Sequence, residues 1–271
     1  MMRAGIVLCG GRSSRMGRSK AWLPWVGTPL LRHVVDTVSA AVDEILVVAA
    51  PDLDLPVTSA QRIDDRQPGL GPLAGIREGL EAMKSDYAFV TGTDSHWIDT
   101  EVVHALLDFE KTVAPVCDGH VQTLAAVYAK QGAHHATKLL DAGRRRPLDL
   151  LESLGYEKLE PAQLPAGFEP RTINTPADYL QAVRAQDPGA TATLEFFGRA
   201  RLALGERERK VPIGTLCEVL TRCEPTLQLI RDGELARGFR VSLDGRDFLA
   251  DPNAPIGPGE RVVILDGSAG G

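Results

Sequence analysis

The segment Leu8-Cys9-Gly10-Gly11-Arg12-Ser13-Ser14-Arg15-Met16-Gly17-Arg18-Ser19-Lys20 constrains this 271-residue chain more than any other. It follows a short apolar run, Ala4 to Leu8, that reads as a buried first strand. A Gly-Gly pair at the carboxyl end of a strand lets the backbone approach a ligand closely. Arginines and a lysine, Arg15 and Lys20 among them, then follow within ten residues of Gly11. Bare amide groups followed by these cations suit a triphosphate, whose charge must be neutralised before a nucleophile can attack it.

The spacing excludes the commoner phosphate loops. A Walker A loop places four residues between its glycines and a Lys-Ser/Thr pair directly after the second. Here five residues separate Gly11 from Gly17, and Lys20 lies three residues beyond Gly17. The dinucleotide pattern G-x-G-x-x-G is absent as well. The loop instead resembles the G-G-x-x-x-R-M-G-x-x-K signature of nucleotidyltransferases that move a nucleoside monophosphate from a nucleoside triphosphate.

Helix and strand patterns alternate behind the loop. Leu30, Leu31, Val34, Val35, Val38 and Val42 recur at helical spacing, Glu44 to Ala50 is a β-branched strand, Pro72 to Met83 a helix and Tyr87 to Thr91 a strand. The pattern predicts an α/β fold, a doubly wound and mostly parallel sheet with helices on both faces. Ligands of such sheets sit beyond the carboxyl ends of the strands, where Gly10 and Gly11 fall. Pro188-Gly189 marks a linker, which divides the chain into domains 1–187 and 191–271. Past it, Thr193 to Phe197, Glu206 to Val211, Arg240 to Leu243 and Arg261 to Leu265 read as strands, with a short helix from Thr215 to Thr221. That order matches a ubiquitin-like β-grasp α+β domain.

Three further motifs narrow the first domain. Thr91-Gly92-Thr93-Asp94 ends an apolar strand on a carboxylate placed to hold Mg²⁺, although a turn-forming Asp has the same pattern. Gly69-Leu-Gly71-Pro72-Leu73-Ala74-Gly75 opens a helix whose amides can hold a base or a phosphate. Asp64-Asp65 can bond a nucleobase or ribose, or form a solvated pair.

With Gln122-Thr-Leu-Ala-Ala-Val-Tyr128 and Asn174-Thr175-Pro176-Ala177-Asp178, these motifs resemble the molybdenum cofactor guanylyltransferase (MobA) family over residues 3 to 185. The resemblance implies GTP as substrate and molybdopterin as acceptor. It implies that Leu8, Gly10, Gly11, Arg15 and Lys20 bind the nucleotide, with Arg15, Lys20 and Asp94 catalytic. Asp94 would bind Mg²⁺, Asp65 and Gly75 contact the guanosine side, and Asn174 lie near the pterin phosphate. The chain departs from the family at His96, where a proline is usual and which reads as an exposed loop histidine. It departs also at Thr172-Ile-Asn174, where one asparagine is missing, and at Cys9, where alanine is usual. Cys9 is assigned no catalysis. A molybdopterin cytidylyltransferase is the related alternative, which Gly10-Gly11 and Gly71-Pro-Leu-Ala-Gly75 disfavour.

The chain ends Asp266-Gly-Ser-Ala-Gly270-Gly271. Behind a β-grasp pattern this resembles the MoaD/ThiS sulfur carriers over residues 191 to 271. The resemblance implies a terminal Gly270-Gly271 carboxylate that becomes a thiocarboxylate. It implies as partners a MoaE-like large subunit of molybdopterin synthase and an adenylating enzyme of the E1-like class. A non-catalytic reading, a carrier attached to a decayed transferase, is disfavoured by intact Arg15, Lys20 and Asp94. A net charge of -6 argues against nucleic acid and anionic membranes as partners. No run is long and apolar enough for a membrane span, and no signal peptide is seen. Cys9, Cys117, Cys217 and Cys223 form no metal or redox spacing, so free thiols and a cytoplasmic location are expected.

Overall fold

The structure is a computed structural model that describes residues 2–10, 16–166, 168–223 and 226–266. The chain divides into two compact units, Met1–Arg12 with Pro29–Thr172, and Ser13–Thr28 with Ile173–Gly271.

The first unit runs β1 (Arg3–Cys9), α1 (Leu30–Ser39), β2 (Glu44–Ala49), β3 (Gln61–Asp64), α2 (Pro72–Ala82), β4 (Tyr87–Gly92), α3 (Thr100–Leu107), β5 (Val113–Cys117), β6 (His120–Val121), β7 (Ala125–Ala129), α4 (Gly132–Asp141), α5 (Pro147–Leu154) and β8 (Glu157–Leu159). The sheet order is β8-β5-β7-β4-β1-β2-β3, with β6 paired to β5. β7 is antiparallel to both β4 and β5, and β6 is antiparallel to β5; all other pairs are parallel. The expected mostly parallel sheet is present.

Its strands are apolar on both faces because helices cover both. Ala4, Ile6, Leu46, Val48, Ala88 and Val90 form one core with Leu73, Ile76 and Leu80 of α2, Ala136 of α4, and Leu150 and Leu151 of α5. The alternate residues Val7, Val47, Phe89 and Val127 are buried too. On that side a Cβ added to Gly5 would fall 2.5 Å from Val38 of α1, so helix and strand nearly touch there.

The second unit contains α6 (Pro176–Gln186), β9 (Thr191–Phe196), α7 (Gly198–Leu204), β10 (Glu208–Pro212), α8 (Leu216–Thr221), β11 (Phe239–Leu243), β12 (Asp247–Leu249) and β13 (Arg261–Asp266). The sheet order is β10-β9-β13-β11-β12. Its first and last long strands, β9 and β13, lie side by side in parallel at the centre, flanked by antiparallel neighbours. Leu194, Phe196, Val219, Leu220, Val241, Val262 and Ile264 form the core beneath the sheet. Thr215 caps α8 through a capping box with Glu218, the local signal that made this helix readable.

Two details differ from the sequence reading. The first strand stops at Phe196, and Phe197 instead leads into α7, a helix the spacing does not predict. Its start is held from far along the chain: Asp266 accepts the Arg199 amide at 2.8 Å and pairs with the Arg199 guanidinium at 3.0 Å. An anion at a helix start is favourable, but no local pattern reveals one 67 residues away. The other difference is that the compact division falls at Thr172–Ile173, ahead of Pro188-Gly189, because α6 packs with the second unit. Within that unit Tyr179 donates its hydroxyl to the Pro24 carbonyl at 2.7 Å, and Arg184 donates to the Ile213 carbonyl at 3.1 Å. No helix among the described residues is long and apolar enough to cross a membrane.

Candidate active site at the carboxyl edge of the sheet

Parallel pairing brings the ends of β3, β2, β1 and β4 to one edge. Ala49 pairs with Asp64, Cys9 with Ala49 and Leu8 with Gly92, so the residues that follow these strands emerge together. Gly10, Asp65 and Asp94 are those residues.

Gly10 is exposed, and a Cβ placed on it would meet no atom of the described residues within 4 Å. Packing among the described residues does not demand a glycine there, and a glycine lets a ligand approach the backbone closely. Leu8, one residue before the strand end, is held from the neighbouring strand end: both the amide and the hydroxyl of Thr93 donate to its carbonyl at 3.1 Å. Thr93 was not singled out in the sequence, since a threonine in a turn carries no distinguishing signal.

Asp94 is half-buried, and its carboxylate folds back over the strand end. A Cβ on Gly92 would lie 2.7 Å from Asp94 Oδ1, which explains the glycine in Thr-Gly-Thr-Asp. No group of three or more His, Cys, Asp or Glu among the described residues is placed to hold a metal ion. One hard carboxylate is nonetheless a donor set that suits Mg²⁺, which keeps several waters and takes its remaining ligands from substrate phosphates.

At the end of β3, Asp65 is half-buried and accepts the Gln67 amide at 2.9 Å, which turns the chain toward Gly69. Asp64 pairs with Arg62 at 3.1 Å. Beneath this turn lies a network that sequence reasoning missed. Arg66 reaches Glu78 at 2.6 Å, Arg77 reaches Gln67 at 3.3 Å, and Arg77 also pairs with Glu78, both nearly buried. Gly75 sits inside α2, fully buried, where a Cβ would come within 3.2 Å of Leu8. Its contact in the fold is with the first strand.

His96, expected on an exposed loop, is half-buried and close to His33. Burial, more than any neighbouring charge, lowers the pKa of both imidazoles below the usual value, so both are neutral at pH 7. Burial also pushes the Cys9 thiol up, away from a nucleophilic thiolate. Further along the same edge, beyond β7, a cavity of about 730 Å³ opens at the end of β5. Gln122, His120, Cys117, Phe168 and Arg171 are among its walls.

The remaining predicted residues belong to the second unit or lie outside the described residues. Gly11 and Arg15 are outside them, as are Gly270 and Gly271. Lys20 opens a short 3-10 turn, Lys20–Trp22. Asn174 is exposed and precedes a capping box in which Asp178 accepts the Asn174 and Thr175 amides at 3.0 and 2.8 Å. Burial alone would raise the Asp178 carboxyl, but these bonds, together with the nearby Lys20 charge, hold it below its ordinary value. The loop lysine and the Asn-Thr-Pro turn thus belong together. Arg18, between Gly17 and Lys20, is paired with Glu260.

A family described as the MobA-like NTP transferase domain matches residues 5–158. A probable molybdenum cofactor guanylyltransferase of Mycobacterium avium is 34% identical over 195 residues, 69% of this chain and 98% of that protein. One from Bacillus mycoides is 30% identical over 66% of this chain and 94% of that protein. Among solved structures, molybdopterin-guanine dinucleotide biosynthesis protein A from Archaeoglobus fulgidus aligns with a TM-score of 0.58 at 23% identity, over 69% of this chain and all of that one. The 2-C-methyl-D-erythritol 4-phosphate cytidylyltransferase of Thermus thermophilus aligns at 0.52 with 18% identity, over 67% of this chain and 97% of that one. The two structures share the fold of the sheet described above.

Proposed function

The chain belongs to the MobA-like NTP transferase family and is accordingly a nucleotidyltransferase; from that premise we propose that it transfers GMP from GTP to molybdopterin. The observation that carries this reading is the convergence of Gly10, Asp65 and Asp94 on one edge of parallel strands. In sheet order a ribose- or base-binding carboxylate, open backbone and a metal-binding carboxylate follow one another there.

In the proposed reaction a phosphate oxygen of the acceptor attacks the α-phosphorus of GTP in line. The bond to the bridging oxygen breaks and pyrophosphate leaves. The nucleophile is already anionic, so no covalent enzyme intermediate is required, and catalysis is orientation with charge neutralisation. Leu8, Gly10, Gly11, Arg15 and Lys20 hold the triphosphate, and Asp65 with the turn before Gly75 holds the guanosine. Asp94 would hold Mg²⁺, which when bound neutralises phosphate charge. Asn174 meets the acceptor phosphate. The cavity beside Gln122 and Arg171 is of a size that admits a small-molecule acceptor.

Thermal stabilisation of the full chain by GTP, CTP and ATP, each with and without Mg²⁺, tests the reading. A ligand that binds only the folded protein stabilises it by about 2.7 kcal/mol at a hundredfold excess over Kd. A selective, Mg²⁺-dependent GTP shift is expected. A CTP preference would transfer the protein to the cytidylyl relatives, and no shift with any nucleotide would remove the transferase reading.

For residues 191 to 271 we propose a β-grasp sulfur carrier of the MoaD/ThiS type. The supporting observation is the sheet with its first and last long strands parallel at the centre. The carboxylate of Gly271 would be adenylated by an E1-like enzyme and converted to a thiocarboxylate, to serve a MoaE-like subunit. Deleting Gly270 and Gly271 should abolish thiocarboxylate formation, read by mass spectrometry, and leave guanylyl transfer intact; a thiocarboxylate on the shortened chain would end the proposal.

A further inference from the structure

Met16 to Lys20 fold within the second unit, together with the C-terminal residues. Within the second unit the anchor of this segment lies 242 residues away in sequence. Arg18 Nη1 stands 2.7 Å from Oε1 and 2.9 Å from Oε2 of Glu260, and donates to the Pro255 carbonyl at 3.2 Å. The two side chains are only 12% and 6% exposed. Glu260 is itself fixed. Its carboxylate accepts the Gly257 amide at 2.7 Å, and its backbone carbonyl accepts the Thr193 amide of the central strand at 2.8 Å.

The neighbouring residues are pinned as well. Gly17 has φ +68°, and a Cβ there would lie 2.8 Å from Asp251 Oδ2. Tyr179 holds the Pro24 carbonyl on the far side of Lys20. Arg18 is a variable position in the G-G-x-x-x-R-M-G-x-x-K pattern, so phosphate chemistry does not require it. A buried ion pair adds little net stability compared with well-packed apolar residues, but it permits only one arrangement of its partners. Here that arrangement defines the path of the chain between Gly17 and Lys20.

We propose that Glu260 is a positioning residue for nucleotidyl transfer: by holding Arg18 it sets the path of Gly17 to Lys20 and with it the grip of Lys20 on the triphosphate. This rests on the reading of the loop as the GTP site. Glu260 touches no substrate and acts only through Arg18 and the backbone it directs.

The test is calorimetric titration of the full chain with GTP and with GMP, each with Mg²⁺, for the wild type, Glu260→Gln, Arg18→Met and the double variant. Gln keeps the size of Glu260 and can still accept the Gly257 amide; Arg18→Met breaks the same pair from the other side if the first variant folds poorly. Each single change should weaken GTP roughly tenfold while GMP shifts less than about twofold, because only the triphosphate end meets the displaced segment. The double variant should bind no worse than either single one, since both remove the same interaction. GTP affinity unchanged in both folded single variants, or GTP and GMP weakened alike, overturns the proposal. Failure of the wild type to bind GTP would instead overturn the guanylyl-transfer reading beneath it.

Discussion

Gly10 and Gly17 belong to one signature, yet the structure uses them in opposite ways. Gly10 stands at the end of β1 with no atom of the described residues near where a side chain would be, and its φ is one that other residues adopt. Gly17 is held at φ +68° with an Asp251 oxygen 2.8 Å from where its Cβ would lie. The first glycine leaves room for a ligand, while the second lets the chain turn and dock in the C-terminal unit. Under the proposed function, a motif read as one phosphate cradle has a ligand-facing half and a docking half.

Asp94→Ala carries the largest expected effect, because it removes the carboxylate proposed to hold Mg²⁺ on the strand edge where Gly10 lies. Turnover should fall by about a thousandfold or more with the melting temperature unchanged. Wild-type-like activity in Mg²⁺ would remove the metal role and, with it, the contrast between the halves. Gly10→Ala and Gly17→Ala then test the comparison directly. Gly10→Ala should weaken GTP by about ten- to a hundredfold and leave stability alone. Gly17→Ala should lower stability by about 1–3 kcal/mol in denaturant titrations, through strain at positive φ and collision with Asp251. The reverse pattern, with Gly10→Ala unstable and Gly17→Ala merely weak in binding, would break the division.

The smallest effect sharpens the comparison from a part of the molecule that neither half involves. Asp149 is nearly buried and bonded by Arg144 and Arg146, which hold its carboxyl down at about 2. A carboxyl with a lowered folded pKa stabilises the fold above its unfolded value of 3.8 and loses that contribution as pH falls toward about 2. Asp149→Asn should therefore flatten the acid limb of the melting profile between those values and leave GTP affinity untouched. An acid limb as steep as that of the wild type would discard the pair as its source.

Much of the candidate site was legible because it rests on local signals. An apolar run ending in Gly-Gly, another ending in Thr-Gly-Thr-Asp, and Pro72 after Gly71 each announce a strand end or a helix start, and each stands where expected. The Asn174 to Asp178 motif was legible as a resemblance, although its visible work is a capping box. What escaped the sequence reading depends on residues distant in the chain. Nothing near Arg18 announces Glu260, nothing near Phe197 announces Asp266, and the half-burial of His96 beside His33 reflects packing, not spacing.

Periodicity, turn chemistry and motif spacing by themselves determined that this chain builds a mostly parallel α/β sheet with a nucleotide loop behind its first strand, followed by a smaller α+β region. Those are properties of a few consecutive residues, set by sterics and by which side chains can be buried. Only the tertiary structure decided that Arg18 of the loop pairs with Glu260 and where one compact unit gives way to the next. Such outcomes depend on which buried charge finds which partner, and burial brings together groups that the sequence separates by 242 residues.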